Sequence, residues 1–419
     1  MLVRDPVQGD IYLTENERAV LECREVQRLR GIKQLGTAYL VYPGCVHTRF
    51  DHSLGVLATA RRILRHLEWA GWSIPPEEQE LVTIAALIHD VTHVPFGHTF
   101  EDERQIWPRH DSGHRLQYFL SPETELGQTL RRLGVLEPVR AILQGQGPRP
   151  WMSELIASTV DADLLDYLRR DSYFAGLRHD YDDRIFTYFI LVDDHLVMNM
   201  SRHQQERPDA RSEILHLLRI RYYLTERVYL HHAKVASGAM IAKAVEIAAR
   251  TWLREEQLYT LSDELFLDLL TRFPDPTVAE LAERVRLRRL YKRAYVLSGA
   301  SLGAQTAQII QRFSGQSRER EHLEETLARR AGLRPGQVIV YCPKATFFKE
   351  VAVPVRTTRG VMPLSSLDSP LSGDVAALAR EYGELWRLMV FAPAEHREAV
   401  RRACEEEFGL PSEYRAEAG

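Results

Sequence analysis

Eight of the chain's 16 histidines (His47, His52, His66, His89, His93, His98, His110 and His114) fall between residues 47 and 114. Histidine changes charge near neutral pH and is the commonest metal ligand, so such a cluster raises metal and proton-transfer chemistry first. Within it, His89-Asp90 closes the apolar helical text EEQELVTIAALIHD. Neighbouring side chains at a helix C-terminus can both reach one ion, because the last turn frays away from the regular 100° spacing. An isolated His-Asp pair is ordinarily a buried histidine beside a capping acid; here the surroundings change the reading. Upstream, Arg49-Phe50-Asp51-His52 opens a helix, and downstream His93, His98 and His110 lie in loop-rich text with Glu101 and Asp102. Further on, STVDADLLDYLRRDSYF carries Asp161, Asp163, Asp166 and Asp171, with Asp163, Tyr167 and Asp171 at i, i+4, i+8 on one helical face. Carboxylates in an apolar helix need a partner, and a cation is one. Two histidines with two carboxylates form a nitrogen-and-oxygen site suited to manganese, iron, magnesium or a similar divalent ion, not a thiolate zinc centre.

The order H…HD…D is the metal signature of the HD superfamily. The text QRLRGIKQLGTAYLVYPGCVHTRFDHSLGV, followed by ALIHDVTHVPFGHTFED, closely resembles the dNTP triphosphohydrolase branch of that superfamily, from about Asp5 to about residue 250 and more faintly through the C-terminal strands. The resemblance implies His52, His89, Asp90 and Asp163 as metal ligands. It implies His93, His98 and Glu101 in a phosphate-binding and proton-transfer loop, with His98 and Glu101 as a His–acid pair, and His110 against the α-phosphate. Arg49 matches an arginine near the nucleotide. Gln34, Leu35 and Asp171 match sugar contacts, with Gln34 and Asp171 on the 3′-hydroxyl. Tyr167 and Arg221 resemble phosphate contacts, Tyr229 the residue crowding the ribose 2′ position, and His231 its neighbour. The chain departs from the pattern at Leu164, where a phosphate-binding lysine is frequent, at Thr92 in place of a glycine, and at Gln8 in place of a histidine; Lys234 is a candidate to replace the missing cation.

Such a site needs helices to carry it. Three- and four-residue apolar spacing predicts helices over about 17–35, 49–69, 77–90, 115–146, 152–171 and 210–250, with helical text continuing to about 330. Arg221 and Tyr229, eight residues apart, then share one helical face. Residues 9–13, 193–200, 337–341, 349–355 and 386–391 read as strands, and AEHREAVRRACEEEFG as a final helix. The expected fold is mainly α: an all-helical HD domain over 1–330, with the metal and nucleotide site within 28–235, and a small α+β region over 331–419. The basic run RLRRLYKR at 286–293 reads as a solvated helix face.

Hydrophobic residues make up 45% and charged residues 27% of the chain, as in an ordinary globular protein. A net charge of −4 supplies no global basic field, so nucleic acid is not an indicated partner. Cys23, Cys45, Cys342 and Cys404 show no metal-knuckle spacing and fit a reducing cytoplasm. No signal peptide and no membrane span is expected. The resemblance further implies a deoxynucleotide substrate and a homo-oligomer, tetramer or hexamer, with an allosteric nucleotide at subunit interfaces. Two other readings stand beside it. An HD phosphodiesterase or nucleotidase acting on another phosphate ester would keep the four ligands without needing Gln34, Asp171 and Tyr229. A non-catalytic nucleotide sensor would leave the metal set without a use.

Overall fold

The computed structural model describes residues 1–345, 352–367 and 370–414. Helices dominate them, and the cause is visible at the two helices that frame the site. Arg49–Trp69 begins at a capping box, in which the Thr48 hydroxyl accepts the Asp51 N–H and the Asp51 carboxylate accepts the Thr48 N–H. Pro76–Ile88 begins on Pro75-Pro76 with Glu77 and Glu78 in its first turn, and it buries every residue from Val82 to Ile88. These two helices pack on each other, and the first also packs on Ala162–Phe174, around one apolar core. A hairpin, Leu2–Asp5 paired with Gly9–Tyr12, lies against the first of them.

Several long helices of the sequence reading are broken. Text 17–35 forms helices Glu15–Leu21 and Arg24–Gln27 and a 3-10 turn, Arg28–Gly31. Text 115–146 becomes His114–Phe119, Glu125–Arg132 and Leu136–Leu143, because Pro122 and Gly134, at φ 73°, interrupt it. Text 152–171 contains the short helix Pro150–Glu154 and then Ala162–Phe174, capped by Asp161, whose carboxylate accepts the Leu164 N–H at 2.7 Å. Text 210–250 divides into Pro208–Leu224, a π turn over Thr225–Tyr229, and His232–Ala249.

The largest difference lies at 286–293. The helix Pro276–Arg286 ends there, and Lys292–Ser298 is a strand, so the basic run is not a helix face and the text is not helical through to 330. That strand pairs antiparallel with Arg387–Ala392, which pairs on its other side with Ile339–Tyr341. The three-stranded sheet therefore draws residues from both sides of position 330. Helices Arg318–Arg330 and Arg397–Phe408 pack with it in a second, smaller core. A four-stranded sheet runs Gly360–Pro363, Pro354–Thr357, His195–Asn199, Phe189–Val192, tying the C-terminal region to the helical body. Of the expected strand 349–355, residues 349–351 lie outside the described residues. Among the described residues no helix is long and apolar enough to cross a membrane.

Candidate active site

Arg49–Trp69 contributes His52 from its first turns, Pro76–Ile88 delivers His89 and Asp90 at its C-terminal end, and Ala162–Phe174 contributes Asp163 from its first turn. The ligand-type atoms of His52, His89 and Asp163 all lie within 4.8 Å of one another. His52 Nε2 is 2.8 Å from Asp163 Oδ1 and 4.0 Å from Asp90 Oδ2, and His89 Nε2 is 3.5 Å from Asp90 Oδ1. The chemistry of this donor set fits a divalent cation. His89 Nδ1–H donates to the Ala86 carbonyl at 2.8 Å, which leaves Nε2 as the lone-pair nitrogen, buried and without a hydrogen-bond partner. Burial opposes charge on His52, but the Asp163 and Asp166 carboxylates, one at each ring nitrogen, outweigh it and lift the imidazolium to about 10. A metal ion would take the place of that proton.

Behind His52 lies a layer that the sequence reading did not assign. Asp166, fully buried, accepts from His52 Nδ1 at 2.9 Å and from Arg170 Nε at 2.7 Å. Arg170 reaches on to Asp5 at 2.8 Å, and Gln8 donates to Asp166 Oδ1 at 2.7 Å. Gln8, a departure from the family pattern, thus still supports the His52 partner. All this fits beneath the helix only because residue 55 is glycine: a Cβ there would stand 2.1 Å from Asp166 Oδ1 and 2.2 Å from an Arg170 nitrogen. The i, i+4 spacing of Asp166 and Arg170 was the available signal.

Beside the cluster, Arg49 donates to Asp90 Oδ2 at 2.8 Å and His93 Nε2 lies 3.0 Å from Oδ1. Burial would raise the Asp90 carboxyl, but Arg49, His93 and His89 hold it well below its ordinary range. Three imidazoles group here: the His93 and His110 rings stack at 3.8 Å, and His98 stands 4.9 Å from each. The expected His98–Glu101 pair is not formed. On the short helix Gly97–Glu101, His98 faces Asp102 one turn on, with Nδ1 3.2 Å from the carboxylate. Glu101 points inward instead, where it accepts from His110 Nδ1 at 3.1 Å and pairs with Arg115. Burial pushes the Glu101 carboxyl up, but His110 and Arg115 prevail and hold it at about 2. Around Thr92, Arg28 donates to the carbonyls on either side, Val91 and His93, each at 2.8 Å.

All of these elements open on one cleft of about 1440 Å³. Of the residues expected at the site, Gln34, Leu35, Arg49, His52, His89, Asp90, His93, His98, His110, Asp163, Tyr167, Asp171, Arg221 and Tyr229 line it, as does Lys234. Glu101 sits behind the wall. His231 is not part of the wall either: its Nδ1 accepts the Ala233 N–H as the cap of His232–Ala249, and its ring stacks on His232. The π turn explains the difference, since its Leu230 N–H to Thr225 C=O bond shifts the residues after Tyr229 out of α-helical phase. Elsewhere in the cleft, the Tyr229 hydroxyl donates to Asp171 Oδ2 at 2.6 Å.

Sequence comparison places this arrangement. The profile described as HD domain matches residues 49–171, and that described as HD associated region matches residues 182–418, more than half of the chain. The chain belongs to the HD-domain family. A protein of unassigned function from Methanocaldococcus jannaschii is 32% identical over 310 residues, covering 71% of this HD protein and 60% of the relative. The deoxynucleoside triphosphate triphosphohydrolase SAMHD1 of Bos taurus is 28% identical over 345 residues, covering 70% and 58%. The chain thus spans about three-fifths of the length of these relatives. Its fold is shared with a phosphohydrolase from Bacteroides thetaiotaomicron, at TM-score 0.71 and 22% identity over 94% of this chain and 99% of the other. A hypothetical protein from Aquifex aeolicus has TM-score 0.72 and 23% identity over 96% and 99%.

Proposed function

We propose that this HD protein is a metal-dependent phosphohydrolase that splits deoxynucleoside triphosphates into deoxynucleoside and inorganic triphosphate. One observation carries the reading: a single cleft holds both the His52–His89–Asp90–Asp163 cluster and the Gln34–Asp171–Tyr229 group. The first suits phosphoryl chemistry, and the second offers directional partners to a sugar hydroxyl. In this reading His52, His89, Asp90 and Asp163 hold a divalent ion, with manganese, iron and magnesium as candidates. When bound, the ion polarises a phosphoryl oxygen and favours deprotonation of water.

The protein's own groups supply the rest. Arg49, Tyr167 and Arg221 orient the phosphates, and Lys234, reaching the same cleft, offsets the absence of a lysine at Leu164. His110, held by Glu101, lies against the α-phosphate, and His93 orients beside Asp90. His98, backed by Asp102, delivers a proton to the departing 5′-oxygen. Tyr229 crowds the ribose 2′ position. The homo-oligomer and allosteric nucleotide that the family resemblance implies belong to the same reading.

The continuation of the cleft to Arg293, Lys344 and Arg387 favours a second reading, an HD phosphodiesterase or nucleotidase taking a larger phosphate ester. Metal-loaded protein incubated with the four dNTPs, singly and mixed, separates the two. Deoxynucleoside with intact triphosphate is the expected product pair. Stepwise phosphate loss, or no turnover in the mixture, overturns the dNTP reading.

A further inference from the structure

His47 takes no part in the chemistry described so far and does not line the cleft, yet it touches both residues expected to read the 3′-hydroxyl. Its Nε2 lies 2.8 Å from Asp171 Oδ1. A carboxylate only accepts, so Nε2 carries the hydrogen. Its backbone carbonyl accepts the Gln34 N–H at 3.0 Å. The ring is fully buried and stacks on Phe174 at 4.5 Å with 19° between the planes. The loop before it is closely seated, since a Cβ on Gly44 would stand 2.7 Å from the Phe174 carbonyl oxygen. With the Tyr229 hydroxyl on Oδ2, both oxygens of Asp171 are tied by donors, and the carboxylate cannot rotate without breaking one. Gln34 Oε1, meanwhile, is buried with no hydrogen-bond partner among the described residues, an acceptor with no use inside the protein.

We infer that His47 is the positioning residue for sugar recognition: it fixes the Asp171 carboxylate, and through its backbone the Gln34 segment, so that their acceptors meet the 3′-hydroxyl of the nucleotide. The inference builds on the dNTP reading. The ring supplies orientation, and Asp171 and Gln34 supply the contact. Loss of the His47 donor leaves a buried carboxylate oxygen short of one charge-assisted bond, and the carboxylate turns towards whichever donor remains.

The test compares kcat/KM for the best dNTP with that for its 2′,3′-dideoxy counterpart, which lacks only the 3′-hydroxyl. His47→Phe keeps the stack on Phe174 and removes the donor. His47→Gln returns an N–H near the Nε2 position, and His47→Asn places it near Nδ1 instead. In His47→Phe the preference for the 3′-hydroxyl falls about tenfold, mainly through KM, as loss of one charge-assisted hydrogen bond predicts. His47→Gln recovers it, and His47→Asn, a smaller change should the Phe variant fail to fold, does not. Equal slowing on both substrates, with the preference intact, makes His47 a packing residue and overturns the inference. If the wild-type protein turns over no dNTP, the dNTP reading fails separately, and calorimetry with a 2′-deoxynucleoside and its 2′,3′-dideoxy form tests His47 alone. A wild-type preference lost in His47→Phe and regained in His47→Gln supports the inference; equal wild-type affinity for the two overturns it.

Discussion

At the scale of single residues, the cluster separates groups that would touch a metal from groups that hold them. Asp163 offers its carboxylate directly, whereas Asp166 acts through His52 Nδ1. Asp163→Ala should abolish metal uptake and activity while leaving the helical circular dichroism spectrum intact. Asp166→Asn should keep the metal but weaken it about 10–100-fold, as loss of an outer partner does; metal titration of the two variants distinguishes them, and equal loss would refute the division. Glu101 gives a different prediction. Its carboxyl is held at about 2 in the folded chain, below its ordinary 4.5. The stability it contributes is complete above about pH 4.5 and is lost as pH falls towards 2. Glu101→Gln should therefore lower the neutral-pH melting temperature and flatten its decline on the acid side, and a variant that melts in parallel with the parent at every pH would contradict this.

At the scale of elements, the packing of Arg49–Trp69 on Ala162–Phe174 depends on a missing side chain. Gly55→Ala forces a methyl group into Asp166 and Arg170, and the two helices must part. The expected cost is about 1–3 kcal/mol, read as a lower urea midpoint at unchanged slope. Elements also show where sequence was a good guide. The helix expected over about 49–69 matches Arg49–Trp69 because its apolar stripe is local. The strand Lys292–Ser298 was not, because its partners, Arg387–Ala392, lie some ninety positions away and its first two residues are basic. The π turn at Thr225–Tyr229 was invisible for another reason: one i+5 hydrogen bond changes no composition. The same distinction runs through the site. Residues in short motifs could be named from the sequence, whereas Asp5, His47, Asp166 and Arg170 acquire their roles from pairings across the fold. The resemblance implied a His98–Glu101 pair, but a shared motif does not say which of two adjacent acids turns inward, and His98 faces Asp102 instead.

At the scale of the whole molecule, the helical body and the helix Arg318–Arg330 of the smaller core are joined by buried charge. Arg104, which lies just beyond the His98 helix, pairs with Glu246 and Glu324, both at 2.7 Å. Lys243 bridges those same two carboxylates, and Arg320 joins Glu246 at 2.9 Å. Arg104 and Arg320 are wholly buried, so no water replaces a lost partner. Arg104→Met should cost about 3–5 kcal/mol, the penalty of stranding buried carboxylates, and should lower the thermal midpoint in calorimetry. A shift within about 0.5 kcal/mol, as at an ordinary surface position, would mean that the cluster relaxes or takes in water.

Arg104 lies in the segment matched by the HD domain, and its two carboxylate partners lie in the associated region. Recombination that joined this HD domain to a foreign tail would have to bring matching acids with it. The two segments should therefore be inherited as a pair, and tail replacements among relatives should break the chain outside this charge set rather than through it.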